Sequence, residues 1–318
     1  MMKPKILITC GDPNGIGPEI ILKIFSNSNI RKDFDLKVIG IYKVFEHYSK
    51  KLKIKNLQKS DVLEIPGFYK LKINEGKIRS IAGRLSGEAV RIGSQLIINK
   101  EFDALVTMPI NKLALNRGGF HYSGHTDMLA ELTNSKNPVM IMYSEEIKVV
   151  PLTIHIPLNL VSDTIDIDLL YKQILIVKNT FRNLFKIKEP KIALLSLNPH
   201  NGDGGLLGRE EIRILKPLLI KSRQNHIDIK GTFAADAYFG NKTYKDFDVT
   251  LSMYHDQGLI PFKMIAGDKG VNFTGGLNII RTSPTHGTAF DIAGQGIAKI
   301  GSSIEAIKLA GKLVKMQK

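Results

Sequence analysis

Three histidines follow apolar runs that are typical of buried strands. His155 comes directly after VVPLTI (149–154), His200 three residues after IALLSL, and His255 directly after DVTLSMY. Ligand-binding groups gather at the carboxyl ends of parallel strands, so the three imidazoles are expected at one edge of a sheet. Neutral imidazole is the commonest metal ligand in proteins, and three of them with an open fourth position form one arrangement used by catalytic zinc.

A competing interpretation is that each histidine is a hydrogen-bonded residue at the edge of the core. Separations of 45 and 55 residues match no local zinc motif, so spacing alone is weak support for a metal. The shared position after a strand favours the metal site. A metal there would act as a Lewis acid on a hydroxyl or carbonyl, which fits hydrolysis, aldol cleavage or alcohol oxidation.

A second group of polar residues, Lys263, Asn272 and Arg281, is spaced nine residues apart. A cation, an amide and a guanidinium suit a phosphate and a carboxylate, and arginine can bind either with two parallel hydrogen bonds. Arg281 follows the apolar pair Ile279-Ile280, whereas Lys269 fits an ordinary surface residue. The segment therefore predicts a site for an anionic ligand.

The elements that must position these residues are short strands alternating with helices. The predicted strands are KILITC (5–10), DALVTM (103–108), VVPLTI (149–154), IALLSL (192–197) and DVTLSMY (248–254). Apolar residues at helical spacing occur within 89–97 and 170–184. This alternation predicts a three-layer α/β/α fold with a mostly parallel sheet. Polar motifs follow every predicted strand and are expected to converge on one site.

Composition narrows the class of protein. With 318 residues, 43% of them hydrophobic, the chain can bury a core as one catalytic unit. It has no apolar run of about 20 residues and no secretory signal, which predicts a cytoplasmic protein that does not bind membranes. The single cysteine, Cys10, is expected to be buried. The net charge of +15 raises nucleic-acid binding as a hypothesis, but the lysines are dispersed and there is no Trp, so no nucleic acid is expected.

Seven sequence motifs follow one another along the chain: GDPNGIGPE, PINK, SGHTD, IHIPL, NPHNGDGG, MYHDQG and RTS followed by HGTA and IAG. In these motifs and their order the chain resembles the 4-hydroxythreonine-4-phosphate dehydrogenase family of pyridoxal phosphate biosynthesis. HGTAFDIAG also resembles the adenosine-binding loop of metal-dependent isocitrate and isopropylmalate dehydrogenases. The resemblance extends from residue 5 to about 296, and it implies the fold of those enzymes, with two lobes around a central cleft. The lobes are expected at about 1–130 plus 280–318, and at about 131–279.

The resemblance also implies roles for individual residues. His155, His200 and His255 match the ligands of a divalent metal, zinc first, with magnesium and cobalt as alternatives, at the interface of a homodimer. The matched substrate-binding positions are His125, Thr126, Lys263, Asn272 and Arg281, and the matched cofactor-binding positions are His286, Gly287, Thr288, Ala289 and Asp291. Asp236 and Lys112 are two candidates for the general base, with a purely structural role as the alternative for Asp236.

The implied reaction is oxidation of 4-phosphooxy-L-threonine, a small phosphorylated hydroxy amino acid, at its C3 hydroxyl, followed by decarboxylation. The carboxylate of Asp291 would accept from a ribose 2′-OH and repel a 2′-phosphate, which predicts NAD in preference to NADP. Pro284-Thr285 stands where the family has Val-Asp. Two alternatives are a related dehydrogenase of 4-phospho-threonate or 4-phospho-erythronate, and a zinc aldolase or hydrolase without nicotinamide. The HGTAFDIAG loop disfavours the latter.

The first motif, GDPNGIGPE, raises the question of a dinucleotide loop. Gly11, Gly15 and Gly17 do not give GxGxxG, and Pro18 suits the first turn of a helix. The motif is therefore predicted to be a strand-to-helix turn, with at most Asp12 and Asn14 facing the site.

Overall fold

The computed structural model describes residues 3–318, which form two compact units. The first runs to Lys136 and resumes at Leu277, and the second comprises Asn137–Gly276. The strands are β1 Lys5–Thr9, β2 Asp35–Gly40, β3 Val62–Glu64, β4 Ala104–Thr107, β5 Val139–Tyr143, β6 Lys148–Pro151, β7 Ile192–Leu195, β8 Ile229–Phe233, β9 Val249–Ser252, β10 Val271–Gly275 and β11 Arg281–Pro284. The helices are α1 Gly17–Ser26, α2 Ser28–Asp33, α3 Tyr42–Leu52, α4 Ser80–Ile98, α5 Lys112–Arg117, α6 His125–Leu132, α7 Val161–Thr164, α8 Ile167–Asn183, α9 Lys216–Gln224, α10 Ala235–Gly240, α11 His255–Ala266 and α12 Gly301–Gln317.

The first unit is built on five parallel strands in the order β3-β2-β1-β4-β11. Strand β1 is almost wholly buried, as expected of a parallel strand covered on both faces. Helix α4 packs closely on α5 at Gly83. A Cβ added there would lie 1.8 Å from the carbonyl oxygen of Ala114, so only glycine permits this approach. Helix α5 follows β4 after four residues, so it begins near the carboxyl end of that strand.

The second unit has the strand order β10-β5-β6-β9-β7-β8. Strand β5 is antiparallel to both β10 and β6, and the remaining pairs are parallel. Helix α8 starts where the Asp166 side chain accepts hydrogen bonds from the N–H groups of Asp168 and Leu169, at 2.8 and 3.0 Å. Its buried face, which includes Leu170 and Ile174, lies against β5 and β10.

The structure confirms the α/β fold class and each of the five predicted strands. The observed strands end one to three residues earlier than the apolar runs, because the chain turns into its polar motif before the apolar residues finish. Tyr254, for example, closes the predicted run but already serves as the N-cap of α11. Cys10 is buried, as predicted. Within residues 3–318, every helix is too short or too polar to cross a membrane.

Candidate functional site

The first unit holds a buried arginine at the start of β11. Arg281 is 1% exposed, and its Nε and Nη2 atoms donate to the hydroxyl of Thr107, at 3.0 and 2.6 Å. Thr107 ends β4, which pairs directly with β11, so the sheet itself brings the two residues together. Burial lowers the pKa of Arg281 to about 9, which leaves the guanidinium charged at neutral pH. A buried cation held by a neutral hydroxyl is a strong attractor for an anionic ligand.

His125 lies next to this cation at the start of α6. Burial, and then the positive charge of Arg281, hold the pKa of His125 well below its usual range, so the ring is neutral. Its Nε2 atom is buried and has no hydrogen-bond partner among the described residues. Buried polar atoms are nearly always paired, so this nitrogen is available for a ligand. Thr126 follows on the same helix and is half-buried.

Lys112 lies beside the same segment. It opens α5, whose N-cap Asn111 accepts a hydrogen bond from the Ala114 N–H group at 2.9 Å. A Cβ added to Gly124 would stand 3.6 Å from Cε of Lys112. The exposed lysine therefore reaches the turn that precedes His125.

The loop that carries the predicted cofactor residues is packed against the GDPNGIGPE turn. The Ile16 N–H group donates to the carbonyl of Thr288 at 3.0 Å, and a Cβ added to Gly15 would meet that same oxygen at 2.8 Å. Only glycine fits this approach, so the first motif supports the later loop. Asp291 is exposed on the loop, and the backbone of Ala289 is left-handed with φ of 41°.

His286, at the start of the same loop, is half-buried. Its Nδ1 lies 3.1 Å from the carbonyl of Gly287. Burial lowers the pKa of His286, so its ring is neutral near pH 7.

Two residues of the first unit that matter to this site were missed from the sequence. Thr107 orients Arg281. Glu19, which is fully buried, anchors the end of the loop that carries the predicted cofactor residues, because it accepts from the N–H groups of Gly296 and Ala298 at 3.1 and 2.8 Å. Glu19 is also paired with Lys23 at 2.7 Å. The Glu-Lys spacing of four residues in a predicted helix was an available signal for this anchor.

Asp12 and Asn14 are buried within the GDPNGIGPE turn rather than facing a site. Asp12 is 1% exposed, its Oδ1 accepts from the Asn14 N–H group at 2.9 Å, and its Oδ2 has no hydrogen-bond partner within the described part of the chain. Burial raises the pKa of this carboxyl from 3.8 to about 6. The ionised form is therefore costly in the folded protein.

We expect Asp12→Asn to flatten the pH dependence of stability. Because the folded pKa is raised, the stability contributed by the protonated carboxyl is present below about pH 4 and is lost as pH rises to about 6. The variant should gain about 1–2 kcal/mol above pH 6 and almost nothing near pH 4. Urea unfolding at several pH values measures this, with Asp33→Asn controlling for net charge. Parallel curves for wild type and Asp12→Asn would contradict the expectation.

The second unit brings two of the three histidines together. The ring centroids of His155 and His255 are 6.0 Å apart, and both residues line one cavity of about 280 Å³. His155 follows β6, and His255 opens α11 with its Nδ1 2.6 Å from Oδ1 of Asp256. The prediction that histidines after parallel strands share one edge is met by this pair.

His200 lies on an exposed loop with an unusual backbone. Residues 200–204 all have positive φ, with 50° at His200 itself, and His155 has φ of 55°. Non-glycine residues in this region are costly and cluster at functional sites. Within residues 3–318 of a single chain, no three His, Cys, Asp or Glu side chains are grouped closely enough to hold a metal ion.

The chemistry of the predicted donors, three imidazoles, suits a metal of the zinc class. Two imidazoles border one cavity, and the third, that of His200, stands on a different loop. Imidazole suits zinc and cobalt better than magnesium, which prefers oxygen ligands. Of the alternatives, the residues therefore favour zinc and cobalt.

The other predicted residues of the second unit are spread over three elements. Asp236 is exposed in the first turn of α10, and Lys263 is exposed in the last turn of α11. Asn272 is half-buried on β10, opposite Met142. Lys263 stands eight residues after His255 on the same helix, which corresponds to about 12 Å along its axis.

The first unit thus holds a buried arginine, and the second holds a pair of histidines that follow parallel strands. In a mostly parallel α/β fold such groups are typical of an enzyme that acts on a small molecule. The model of the pyridoxal phosphate biosynthetic protein PdxA family matches residues 20–310. The chain is 41% identical to a 4-hydroxythreonine-4-phosphate dehydrogenase of Aquifex aeolicus, covering 98% of this chain and 99% of the relative. It is also 36% identical to a D-threonate 4-phosphate dehydrogenase of Salmonella typhimurium, covering 97% and 98%.

A solved 4-hydroxythreonine-4-phosphate dehydrogenase from Klebsiella pneumoniae has the same fold, with a TM-score of 0.86, 31% identity, and coverage of 98% of this chain and 100% of that one. The chain belongs to the PdxA family. It is an oxidoreductase of the dehydrogenase class, and the family resemblance seen in the sequence is confirmed.

Proposed function

We propose that the protein oxidises 4-phosphooxy-L-threonine at its C3 hydroxyl, with a nicotinamide cofactor and a divalent metal. The product, 2-amino-3-oxo-4-phosphooxybutanoate, then loses CO₂ to give 3-amino-2-oxopropyl phosphate. The observation that carries this proposal is the buried Arg281, held by Thr107 beside a neutral His125, in a chain of the PdxA family.

In this proposal Arg281 binds an oxyanion of the substrate, either its phosphate or its carboxylate. The hydroxyl of Thr107 accepts from Nε and Nη2 of the guanidinium and so orients it, and a charged donor that is oriented in advance binds an oxyanion strongly. The free Nε2 of His125 forms a further hydrogen bond to the ligand. Thr126, Lys263 and Asn272 complete the set of substrate-binding groups.

His155, His200 and His255 hold the metal, with ligands shared across a homodimer. When bound, the metal lowers the pKa of the substrate hydroxyl and withdraws electrons during decarboxylation. The cavity beside His155 and His255 supports this assignment, as do the left-handed backbones of His155 and His200. Lys112 and Asp236 remain the candidates for the group that accepts the hydroxyl proton; the position of Lys112 next to Gly124 favours the lysine.

The nicotinamide cofactor is held by His286, Gly287, Thr288, Ala289 and Asp291. We expect kcat/KM with NAD to exceed that with NADP by roughly tenfold or more, because the exposed Asp291 carboxylate repels a 2′-phosphate. Steady-state kinetics with both cofactors measure the ratio. Asp291→Asn, which keeps the size of the side chain and removes its charge, should bring the two values closer. A higher kcat/KM with NADP in the wild type would contradict this assignment.

The second candidate substrate is a 4-phosphorylated threonate or erythronate. This candidate is supported by the 36% identity of the chain to a D-threonate 4-phosphate dehydrogenase of Salmonella typhimurium. The two substrate types differ at C2, where one has an amino group and the other a hydroxyl. NADH formation with a matched panel of phosphorylated threonine and threonate substrates, with and without added zinc, tests the proposal. No NADH from any of them would overturn it.

A further inference from the structure

The three loops that carry the histidines are joined by one hydrogen-bonded network inside the second unit. We propose that Gln257, Asn198, Glu210 and Glu211 are positioning residues that fix these loops for metal binding. The inference rests on the proposed function only in that the three histidines bind a metal. None of the four residues is itself placed among the ligands.

The first connection joins the loops of His155 and His255. Thr153 donates both its N–H and its hydroxyl to the carbonyl of Met253, at 3.1 and 2.7 Å. Each of these two residues lies two positions before its histidine. Because one carbonyl oxygen accepts both hydrogen bonds, the residues that precede His155 and His255 are fixed relative to each other.

Gln257 makes the second connection, from the His255 segment to the end of β7. Its side-chain oxygen accepts from the Met253 N–H group at 2.7 Å, and its side-chain nitrogen donates to the carbonyl of Ser196 at 2.7 Å. Ser196 lies four residues before His200. The side-chain amide of Gln257 thus connects the loop that carries His255 to the segment that leads to His200.

Glu211 fixes the residues just before His200. It is 1% exposed, its Oε1 accepts from the N–H groups of Leu197 and Asn198, both at 2.8 Å, and its Oε2 accepts from the Asn198 side chain at 2.9 Å. A Cβ added to Gly202 would stand 2.7 Å from the same Oε2. The loop that carries His200 is therefore wrapped around the buried carboxylate of Glu211.

Glu210 closes the network back to the first loop. Its Oε2 accepts from the Asn198 side chain at 2.7 Å, and its Oε1 accepts from the hydroxyl of Ser162 at 2.5 Å. Ser162 lies seven residues after His155. The hydrogen bond from Ser162 lowers the pKa of Glu210, which keeps the carboxylate ionised and its hydrogen bonds strong.

The network explains how the left-handed backbones of His155 and His200 are maintained. Such conformations persist only where the surroundings fix them by several independent contacts. Metal ligands must also be held to within a few tenths of an ångström of ideal geometry, and residues that orient ligands affect metal affinity almost as strongly as the ligands do. The two carboxylates and two amides supply these contacts on each side of the loops.

The test is the zinc affinity of Gln257→Leu, measured by competition with a chelator, together with the visible absorption spectrum of the cobalt-loaded protein. The variant has nearly the same volume and loses both hydrogen bonds, so we expect zinc to bind roughly 10–100-fold more weakly and the cobalt bands to shift. Tyr238→Phe is the matched control. It removes one buried hydrogen bond in the same unit, that to the hydroxyl of Thr250 at 2.8 Å, and should leave zinc affinity unchanged.

Glu211→Gln is the second variant, for use if Gln257→Leu fails to fold. It keeps an oxygen that accepts from the N–H groups of Leu197 and Asn198, but it places an NH₂ group against the NH₂ group of the Asn198 side chain. We therefore expect zinc affinity to fall, but by less than in Gln257→Leu. If the wild type binds zinc and both folded variants bind it equally well, the positioning network is overturned and the proposed function stands. If the wild type binds no divalent metal, the metal part of the proposed function falls and this inference falls with it.

Discussion

Replacing Arg281 by methionine is expected to lower kcat/KM roughly 10²–10³-fold while the protein stays folded. Hydrogen bonds between charged partners contribute about 1.5–3 kcal/mol each, and two parallel bonds from one guanidinium to an oxyanion give about this loss when removed. The guanidinium is 1% exposed, and its burial lowers its pKa to about 9, so the free protein bears a cost for holding this charge. Removing the charge should leave the melting temperature unchanged or raise it.

The same measurement separates the charge of Arg281 from its shape. Lysine at this position keeps the charge but not the planar pair of donors, so Arg281→Lys should fall between the wild type and Arg281→Met. Arg91→Met is the control, because Arg91 is exposed on α4 of the same unit and pairs with Glu88 at 2.8 Å. Unchanged kcat/KM in Arg281→Met would remove Arg281 from the anion site. A collapse of the melting temperature would show that its role is structural.

The proposed anion site shows which of its residues the sequence could predict and which it could not. Arg281 was recognisable because a cation directly after Ile279-Ile280 does not fit a surface position. Thr107 was not, because its role depends on β4 and β11 being neighbours although 174 residues separate the two partners. Hydrophobic patterns reveal that a strand exists, but they do not determine which strand lies beside it.

The strands show a second limit of prediction from the sequence: a strand that contains polar residues lacks the hydrophobic pattern. The predicted runs are apolar throughout, as strands buried on both faces must be, and β1 is an example. Strand β8, IKGTF, has a buried residue only at its first position, and β10 contains Asn272 and two small residues. These strands lack the apolar signal because polar residues stand in them. The residue that weakens the pattern of β10 is also one of the proposed substrate contacts.

The histidines were predictable as a set but not in their geometry. Their position after three apolar runs was visible in the sequence, and His155 and His255 do border one cavity. The left-handed backbone at 200–204 was not predictable, because only two glycines occur in that stretch. It depends on contacts with Glu211, which is a further nine residues along the chain from Gly202.

The largest loss of activity is expected from removing His200, and the backbone at this position decides which substitution tests it cleanly. His200 has φ of 50°, where alanine would be strained, whereas asparagine tolerates this conformation. His200→Asn should therefore keep the loop folded while it removes an imidazole ligand. Because zinc is proposed to bind through three histidines, we expect loss of bound zinc and a fall in kcat of roughly 10³-fold or more.

A matched control is His226→Asn, since His226 is also left-handed, with φ of 54°, is exposed, and lies in the same unit. It should keep both zinc and activity. Zinc content by elemental analysis and kcat at saturating zinc are measured on both variants, and equal melting temperatures exclude unfolding as the cause. Full activity of His200→Asn in metal-stripped buffer would remove this histidine, and the metal it is proposed to hold, from the reaction. Lost activity with wild-type zinc content would instead assign His200 a role at the substrate.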